Sequence, residues 1–133
     1  MKKIVYKTDI IPKTEAIIEV YRSSGIRRPI DDPVRIEKMY ENSSLVVSAW
    51  SGEELIGIAR SLTDFSYCCY LSDLAVKSEF QKRGIGKELI RISKEQIGDQ
   101  SMLLLLSAPN AMGYYPRVGF DKVANGFIIK RSS

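Results

Sequence analysis

The sequence predicts a single mixed α/β domain spanning residues 1–133, and three observations carry that prediction. Strand-like runs and helical patterns alternate along the chain. Two of the strand-like runs flank the tight turn "SGEE", so they pair as a hairpin and the sheet is mostly antiparallel. A later apolar run, "SMLLLLSA", follows a helix and reads as a strand covered on both faces. A chain of 133 residues with 44% hydrophobic and 27% charged residues suits one domain with one core, with no repeat, linker or low-complexity tract.

The elements follow in order. "KKIVYKT" is the first strand, and Pro12 opens a helical pattern that gathers Ile17, Ile18 and Tyr21 on one side before Gly25. "GIRRPI" is a loop. "DDPVRIEKMYEN" is a second helix, with Asp32 as cap and Pro33 at the first helical position, where a fixed φ and a missing N–H cost nothing. "SLVVSAW" and "LIGIARSL" form the hairpin, and "YCCYLSDLAV" is a longer strand. A helix then runs to about Ile97, with Ile85, Leu89, Ile92 and Ile97 on one stripe and Lys87, Arg91, Lys94 and Glu95 opposite. After "SMLLLLSA" comes a short helix, "NAMGYYPRV". Two final strands, "GFDKV" and "FIIKR", turn at Asn125-Gly126. The order is β-α-α-β-β-β-α-β-α-β-β, a long meander completed by a β-helix-β unit.

Composition excludes several chemistries. The chain has no histidine, which removes Ser-His-Asp and Cys-His machinery and the commonest zinc ligand; no metal is expected. Cys68 and Cys69 are adjacent, cannot staple distant segments, and read as a buried, unreactive pair in a reducing compartment. "MKKIVY" begins like a leader, but Lys7 and Asp9 interrupt it, and no apolar run approaches the ~18 residues that span a membrane. A cytoplasmic protein is expected. The net charge of +4 suits an anionic ligand, but the basic residues form no long stripe and no exposed aromatic cluster accompanies them, so nucleic acid is not the expected partner.

The sharpest feature is "SEFQKRGIGKELI", residues 78–90. It fails as a P-loop, because Glu88 follows Gly86-Lys87 and Gln81 occupies the position of the first glycine. It fails as a dinucleotide fingerprint, because Leu89 replaces the third glycine. What remains is a strand, a short polar loop and Q-x-x-G-x-G at the start of a helix. Free N–H groups of a first helical turn bind anions, and glycine at 84 and 86 permits close approach and unusual φ. Lys82, Arg83 and Lys87 add positive charge. A diphosphate cradle and a plain turn with a solvated basic patch both fit these residues.

Three segments together resemble the GNAT family, the Gcn5-related N-acetyltransferases. "DLAVKSEFQKRGIGKELI" resembles its acetyl-CoA signature, "YYPRVGF" its late (F/Y)-Y-x-x-x-G-F, and "EELIGIARSL" the strand before the signature. The element order is also similar throughout. The resemblance implies a GNAT fold: a central mixed, mostly antiparallel sheet flanked by helices, with a V-shaped splay between strands 4 and 5 and a bulge in strand 4. It implies acetyl-CoA as cofactor. Backbone N–H groups of Gln81, Lys82, Arg83, Gly84, Ile85 and Gly86 would cradle the pyrophosphate, with Lys87 beside them, and Leu74, Ala75 and Val76 would pair with the pantetheine arm.

It further implies direct attack by an amine on the thioester. A backbone N–H near Val76 would stabilise the oxyanion, and Tyr115 would protonate the departing thiolate. Tyr114 occupies a position that usually packs. Where relatives often place a cofactor-touching asparagine, this chain has Ala108. Asn110 is the nearby substitute, or a cap of the short helix, and the cap is preferred. An amine of pKa roughly 10 must lose a proton, at a cost of about 4 kcal/mol at neutral pH. The positions facing the substrate are Tyr70 and Ser72, neither a strong base, and Asp73 faces away unless a bulge turns it; Glu79 lies in the loop. A water relay or an already neutral amine is therefore expected. Arg27 and Arg28 could grip an acidic substrate, or stand solvated against Asp31 and Asp32, the preferred reading. Phe65, Tyr67 and Tyr70 could line an aromatic pocket. The implied acceptor is a small-molecule or peptide amine. A homodimer is compatible, and the rival function is a non-catalytic acyl-CoA binding or sensing module.

Overall fold

The computed structural model describes residues 3–133. Met1 and Lys2, where the expected first strand and the leader-like start begin, lie outside the described residues. The five strands are β1 (Ile4–Lys7), β2 (Leu45–Ser51), β3 (Glu54–Thr63), β4 (Cys68–Val76) and β5 (Met102–Leu104), and they lie side by side in that order in one sheet. The first four pair antiparallel, and β4 pairs with β5 in parallel. The helices are α1 (Thr14–Ser24), α2 (Pro33–Glu41), α3 (Ile85–Ile97) and the single turn α4 (Tyr114–Arg117).

Local chemistry explains the helix ends. Gly25 takes the left-handed conformation (φ 80°) after α1 and returns its N–H to the Tyr21 carbonyl. The Asp32 carboxylate accepts from the Arg35 N–H at 3.2 Å, and Pro33 opens α2. At the far end of α3, the Lys94 ammonium donates to the carbonyls of Gly98 and Ser101, satisfying groups the helix leaves over. The apolar stripe of α3 is buried as its period requires, while Arg91 pairs outward with Glu88 and Glu95.

Two apolar layers sandwich the sheet. On one face α3 and α4 cover Val47, Ala59, Leu71 and Val76. On the other, α1 and α2 bring Ile17, Tyr21, Ile36 and Tyr40 against Val46, Ile58 and Ala75. Gly57 lets α3 approach the sheet closely: a Cβ there would sit 3.3 Å from the Leu89 side chain.

The sheet opens between β4 and β5. Only Cys68, Cys69 and Tyr70 pair with β5, whereas β4 stays paired with β3 as far as Val76. From Leu71 to Val76 the β5-side edge of β4 therefore has no ladder partner. Within β4 the register shifts: Arg60 faces Asp73 and Ser61 faces Leu71, so Ser72 is the extra residue of a bulge. Leu71 packs toward α3, and beyond the bulge Asp73 packs toward α1 and α2.

Four expectations need correction. The two final strands and their Asn125-Gly126 hairpin do not form; every residue from Asp121 to Ser133 is exposed and without regular structure. A strand needs a partner, and the outer edge of β5 has none. The run "SMLLLLSA" is not covered on both faces. Leu103 and Leu105 pack inward, while Met102, Leu104 and Leu106 are exposed. "NAMGYYPRV" is not one helix: a 3₁₀ turn at Pro109–Ala111 precedes α4, with Gly113 at the junction. Strand alternation buries Cys69 but exposes Cys68.

Candidate active site

The splayed edge of β4 leads, through Lys77 and a 3₁₀ turn at Ser78–Phe80, into the Gln81–Gly86 loop. Lys77 donates its N–H to the Ile56 carbonyl on β3 at 2.8 Å. Strand backbone alternates, so the N–H groups of Val76 and Leu74 point the other way, into the splay. The Gln81 amide Nε2 donates to the Val76 carbonyl at 2.8 Å, tying the loop to the end of the strand. Ala75 and Val76 are buried and Leu74 half-buried, so their side chains anchor the strand while its edge stays open.

The loop is shaped for an anion. Lys82 (φ 64°) and Gly84 (φ 80°) are both left-handed, which curls successive N–H groups toward a common centre. The first capping bond of α3 runs from the Glu88 N–H to the Gly84 carbonyl. Among the described residues, the N–H groups from Lys82 to Lys87 have no hydrogen-bond partner. Ile85 is buried and pins the helix start to the core, and the Arg83 guanidinium lies over the Phe80 ring. Lys82, Arg83 and Lys87 are exposed around the loop. A pyrophosphate fits this donor set: unpaired N–H groups, a glycine at positive φ and surrounding cations.

The aromatic turn α4 packs beside this helix start. The Tyr114 hydroxyl approaches Gly86 so closely that a Cβ there would lie 3.1 Å from it. Tyr115 stacks edge-on between Tyr114 and Phe120, and its carbonyl receives the N–H groups of Val118 and Phe120. Burial, with Tyr114 adding to it, raises the Tyr115 pKa above the ordinary phenol value. It is a protonated donor at neutral pH. Asn110 caps no helix, because the 3₁₀ turn has Ala108 as cap and α4 has Gly113. The preferred cap reading fails, and the Asn110 side chain is exposed.

Asp73 is committed to structure. It is fully buried, and Oδ2 accepts from Arg60 Nε and the Tyr21 hydroxyl at 2.6 Å each. Its Oδ1 accepts from Arg28 Nε at 2.6 Å and from Ser72 Oγ at 3.1 Å. Tyr21 donates to Asp73, so Tyr40 is the donor of the Tyr21–Tyr40 bond. Burial raises the Asp73 pKa, but the Arg60 hydrogen bond and charge, then Arg28 and Tyr21, outweigh it and hold the carboxyl below the usual range. A carboxylate so held is a poor proton acceptor. The bulge does turn Asp73 toward α1 and α2, yet into this cluster.

The same cluster claims Arg28. Its Nε meets Asp73, Nη2 donates to the Ser72 carbonyl and Nη1 to the Arg27 carbonyl. It neither stands solvated against Asp31 and Asp32 nor has a nitrogen to spare. The Arg27 side chain is exposed and unpartnered among the described residues, and Ser72 Oγ is shared between Arg60 and Asp73. Tyr70 is exposed and sits in register between Leu62 and Leu104, an apolar stripe across three strands. Sequence reasoning missed Tyr21, Tyr40 and Arg60. The one available signal was an arginine inside the apolar run "LIGIARSL".

Among the described residues no group of side chains could hold a metal ion, and no helix is long and apolar enough to cross a membrane. A surface groove between α1 and α2, lined by Lys13, Ile18, Pro33, Val34 and Glu37, shares no residue with the splay.

Comparisons with known proteins agree with this geometry. The profile of the "Acetyltransferase (GNAT) domain" family matches residues 18–130. An uncharacterised N-acetyltransferase, ycf52, of Pyropia yezoensis is 25% identical over 107 residues, covering 76% of this chain. The chain spans about 60% of the length of that relative. A GNAT-family acetyltransferase structure from Streptococcus pneumoniae is 22% identical with a TM-score of 0.77, covering 98% of this chain and 100% of its own. Aminoglycoside N-acetyltransferase AAC(6')-Iy, solved with CoA, is 14% identical with a TM-score of 0.74, covering 100% and 97%. At these identities the structural likenesses speak for the fold. The family profile, spread over both the cradle and the aromatic turn, goes further: this chain belongs to the GNAT acetyltransferase family.

Proposed function

We propose that this chain is an acetyl-CoA-dependent N-acetyltransferase acting on a primary amine of a small molecule or peptide, in the cytoplasm. The observation that carries the proposal is continuity. The unpaired edge of β4 leads, through one 3₁₀ turn, to a loop whose N–H groups from Lys82 onward lack partners among the described residues, so one extended ligand with a diphosphate can satisfy both. When bound, acetyl-CoA supplies an activated acetyl group as a thioester. The backbone of Leu74 and Val76 orients the ligand along β4, and the Val76 N–H is an oxyanion donor that needs no reorganisation. The backbone from Lys82 to Gly86 holds the diphosphate, with Lys82, Arg83 and Lys87 adding charge; the expected Gln81 N–H is taken by the Ser78 carbonyl at 3.4 Å, and Gln81 instead ties the loop to β4 through its side chain. Tyr115 holds a proton in the half-buried aromatic turn and is the general acid.

Among the described residues, none of the base candidates on β4 is free. Asp73 is held by two arginines, Ser72 is engaged, and Glu79 is exposed in the loop. The amine therefore reaches the site neutral or loses its proton through water. Arg27, exposed and without a partner among the described residues, would meet an acidic group on the acceptor, and Tyr70 an apolar one.

The lack of a free base also favours a second reading, a non-catalytic acyl-CoA sensor. One experiment separates them: release of free CoA from acetyl-CoA is followed with a broad panel of amines. Turnover with any amine supports the transferase. Tight acetyl-CoA binding with no turnover on any amine supports the sensor, and no binding overturns both.

A further inference from the structure

One short stretch of chain outside the sheet holds both ends of the open part of β4. That part runs from Ser72 through Val76 to Ser78, carries the Leu74 and Val76 N–H groups, and has no β5 partner. At its far end the Ser78 N–H donates to the Ser23 hydroxyl, in the last turn of α1, at 2.9 Å. At its near end Arg28, in the loop after α1, donates Nη2 to the Ser72 carbonyl at 2.7 Å and Nε to Asp73 Oδ1 at 2.6 Å. Tyr21 of α1 donates to Asp73 Oδ2 between them.

The near end is where the strand needs holding. Ser72 is the extra residue of the bulge, so the β3 ladder does not fix it. A bulge that slips by one residue exchanges the groups facing the splay for those facing β3. Arg60 and Tyr21 hold side chains alone: Arg60 meets Asp73 Oδ2 and Ser72 Oγ, and Tyr21 meets Asp73 Oδ2. Arg28 reaches the backbone. Its planar fork spans the carbonyl of residue 72 and the carboxylate of residue 73 together, which fits this register and no other. Lysine has one nitrogen and cannot span both. The diphosphate cradle has its own anchors, the Gln81 side chain on the Val76 carbonyl and Ile85 in the core. Loss of Arg28 therefore frees the strand without dismantling the loop.

We propose that Arg28 is a positioning residue: with Ser23 it braces Ser72–Ser78, and so fixes the Val76 N–H against the thioester. The proposal rests on the transferase reading above. Arg28 touches neither substrate; it acts through the backbone it holds. Its Nη1 also holds the Arg27 carbonyl, so the exposed Arg27 side chain starts from a fixed point relative to the oxyanion donor.

The test compares Arg28→Lys with the parent, using the amine that turns over fastest in the acceptor panel. The readouts are kcat per folded molecule, CoA affinity by calorimetry, and millisecond exchange of the backbone amides by nuclear magnetic resonance. A donor displaced by a fraction of an ångström should lower kcat about 10- to 100-fold, while CoA affinity holds. Exchange should appear at Leu74 and Val76 and not from Lys82 to Gly86. A variant with a lowered thermal midpoint but unchanged kcat makes Arg28 merely structural and overturns the proposal. So does exchange that is absent, or that spreads equally into the cradle. If the parent acetylates no amine, the transferase reading fails, and the amide exchange still decides whether Arg28 braces the strand. Should Arg28→Lys fail to fold, Ser23→Ala removes the other end of the brace at a half-buried position. It should lower kcat several-fold and set Lys77 and Ser78 in exchange; unchanged kcat with quiet amides overturns the proposal.

Discussion

The two sides of β4 treat polar groups in opposite ways. Toward α1 and α2, Asp73 receives four hydrogen bonds from Arg28, Arg60, Tyr21 and Ser72, and Tyr40 completes the chain through Tyr21. Toward the splay, the N–H groups of Leu74 and Val76 face a gap, and those from Lys82 to Lys87 meet no partner. The first set centres on a carboxylate sealed from water, and the second is open to it. A saturated, dry cluster has nothing left to offer a ligand and serves to fix where β4 bends. Unsaturated donors held by that fixed backbone are preorganised for one. The contrast also explains why the carboxylate nearest the splay is not a base, while two weaker-looking features, a loop and a phenol, are the functional candidates.

Breaking the sealed side should have the largest effect. Asp73→Asn leaves two partly buried guanidinium groups without their counter-charge and should cost about 3–5 kcal/mol of stability, read as a lowered thermal midpoint. If Asp73 were instead a base, activity would collapse with the fold intact. The same cluster makes a pH prediction. Because the folded Asp73 pKa is lowered, its contribution is complete above the unfolded carboxylate value of roughly 4 and disappears as pH falls through the folded value. Melting temperature should therefore hold through the neutral range and drop in acid, and the acid limb should be weaker in the Asn variant.

On the open side, Tyr115→Phe should lower kcat by about 100-fold, the usual worth of a general acid, and leave acetyl-CoA affinity by calorimetry unchanged. An unchanged kcat removes Tyr115 as the acid. With no protein base, kcat/KM should rise about tenfold per pH unit below the pKa of the acceptor amine. A plateau well below that pKa would reveal a base the geometry does not supply. Gly84→Glu places a carboxylate at a left-handed position (φ 80°) in the centre of the cradle. It should weaken acetyl-CoA binding about tenfold or more, at least 1.4 kcal/mol, and normal affinity would count against the diphosphate assignment.

Legibility in the sequence divides along the same line. The open side was readable because its signals are local: Gln81 to Gly86 are neighbours, Tyr115 and Gly119 lie in one turn, and Asp32-Pro33 starts α2 by its own chemistry. The sealed side was not, because its bonds join residues 45 and 52 positions apart. Which faces Arg28, Tyr21 and Tyr40 present depends on how α1 and α2 pack, and no local period encodes that. The direction of Asp73 depended on a single extra residue, Ser72, since one bulge reverses the alternation for the rest of the strand. The missing final strands fail differently. Their local signals are strong, but a strand exists only with a partner, and among the described residues none pairs with them.

The smallest expected effect falls where the aromatic turn touches the cradle. Gly86 has no positive φ and sits in the first turn of α3, so alanine is compatible with its backbone and gains up to about 1 kcal/mol in helix propensity. Its new Cβ would meet the Tyr114 hydroxyl at 3.1 Å, the far end of a side chain that can yield by a few tenths of an ångström. These terms nearly cancel, so the thermal midpoint of Gly86→Ala should stay close to that of the parent. Acetyl-CoA should nonetheless bind a few-fold more weakly, because the methyl group stands where a ligand approaches the free N–H groups. The double variant Gly86→Ala, Tyr114→Phe distinguishes the two contributions. If removing the hydroxyl restores affinity, Tyr114 shapes the cradle; if affinity stays low, the methyl group obstructs the ligand itself. Unchanged affinity in the single variant would place the diphosphate nearer Lys82 to Gly84 than to the helix start.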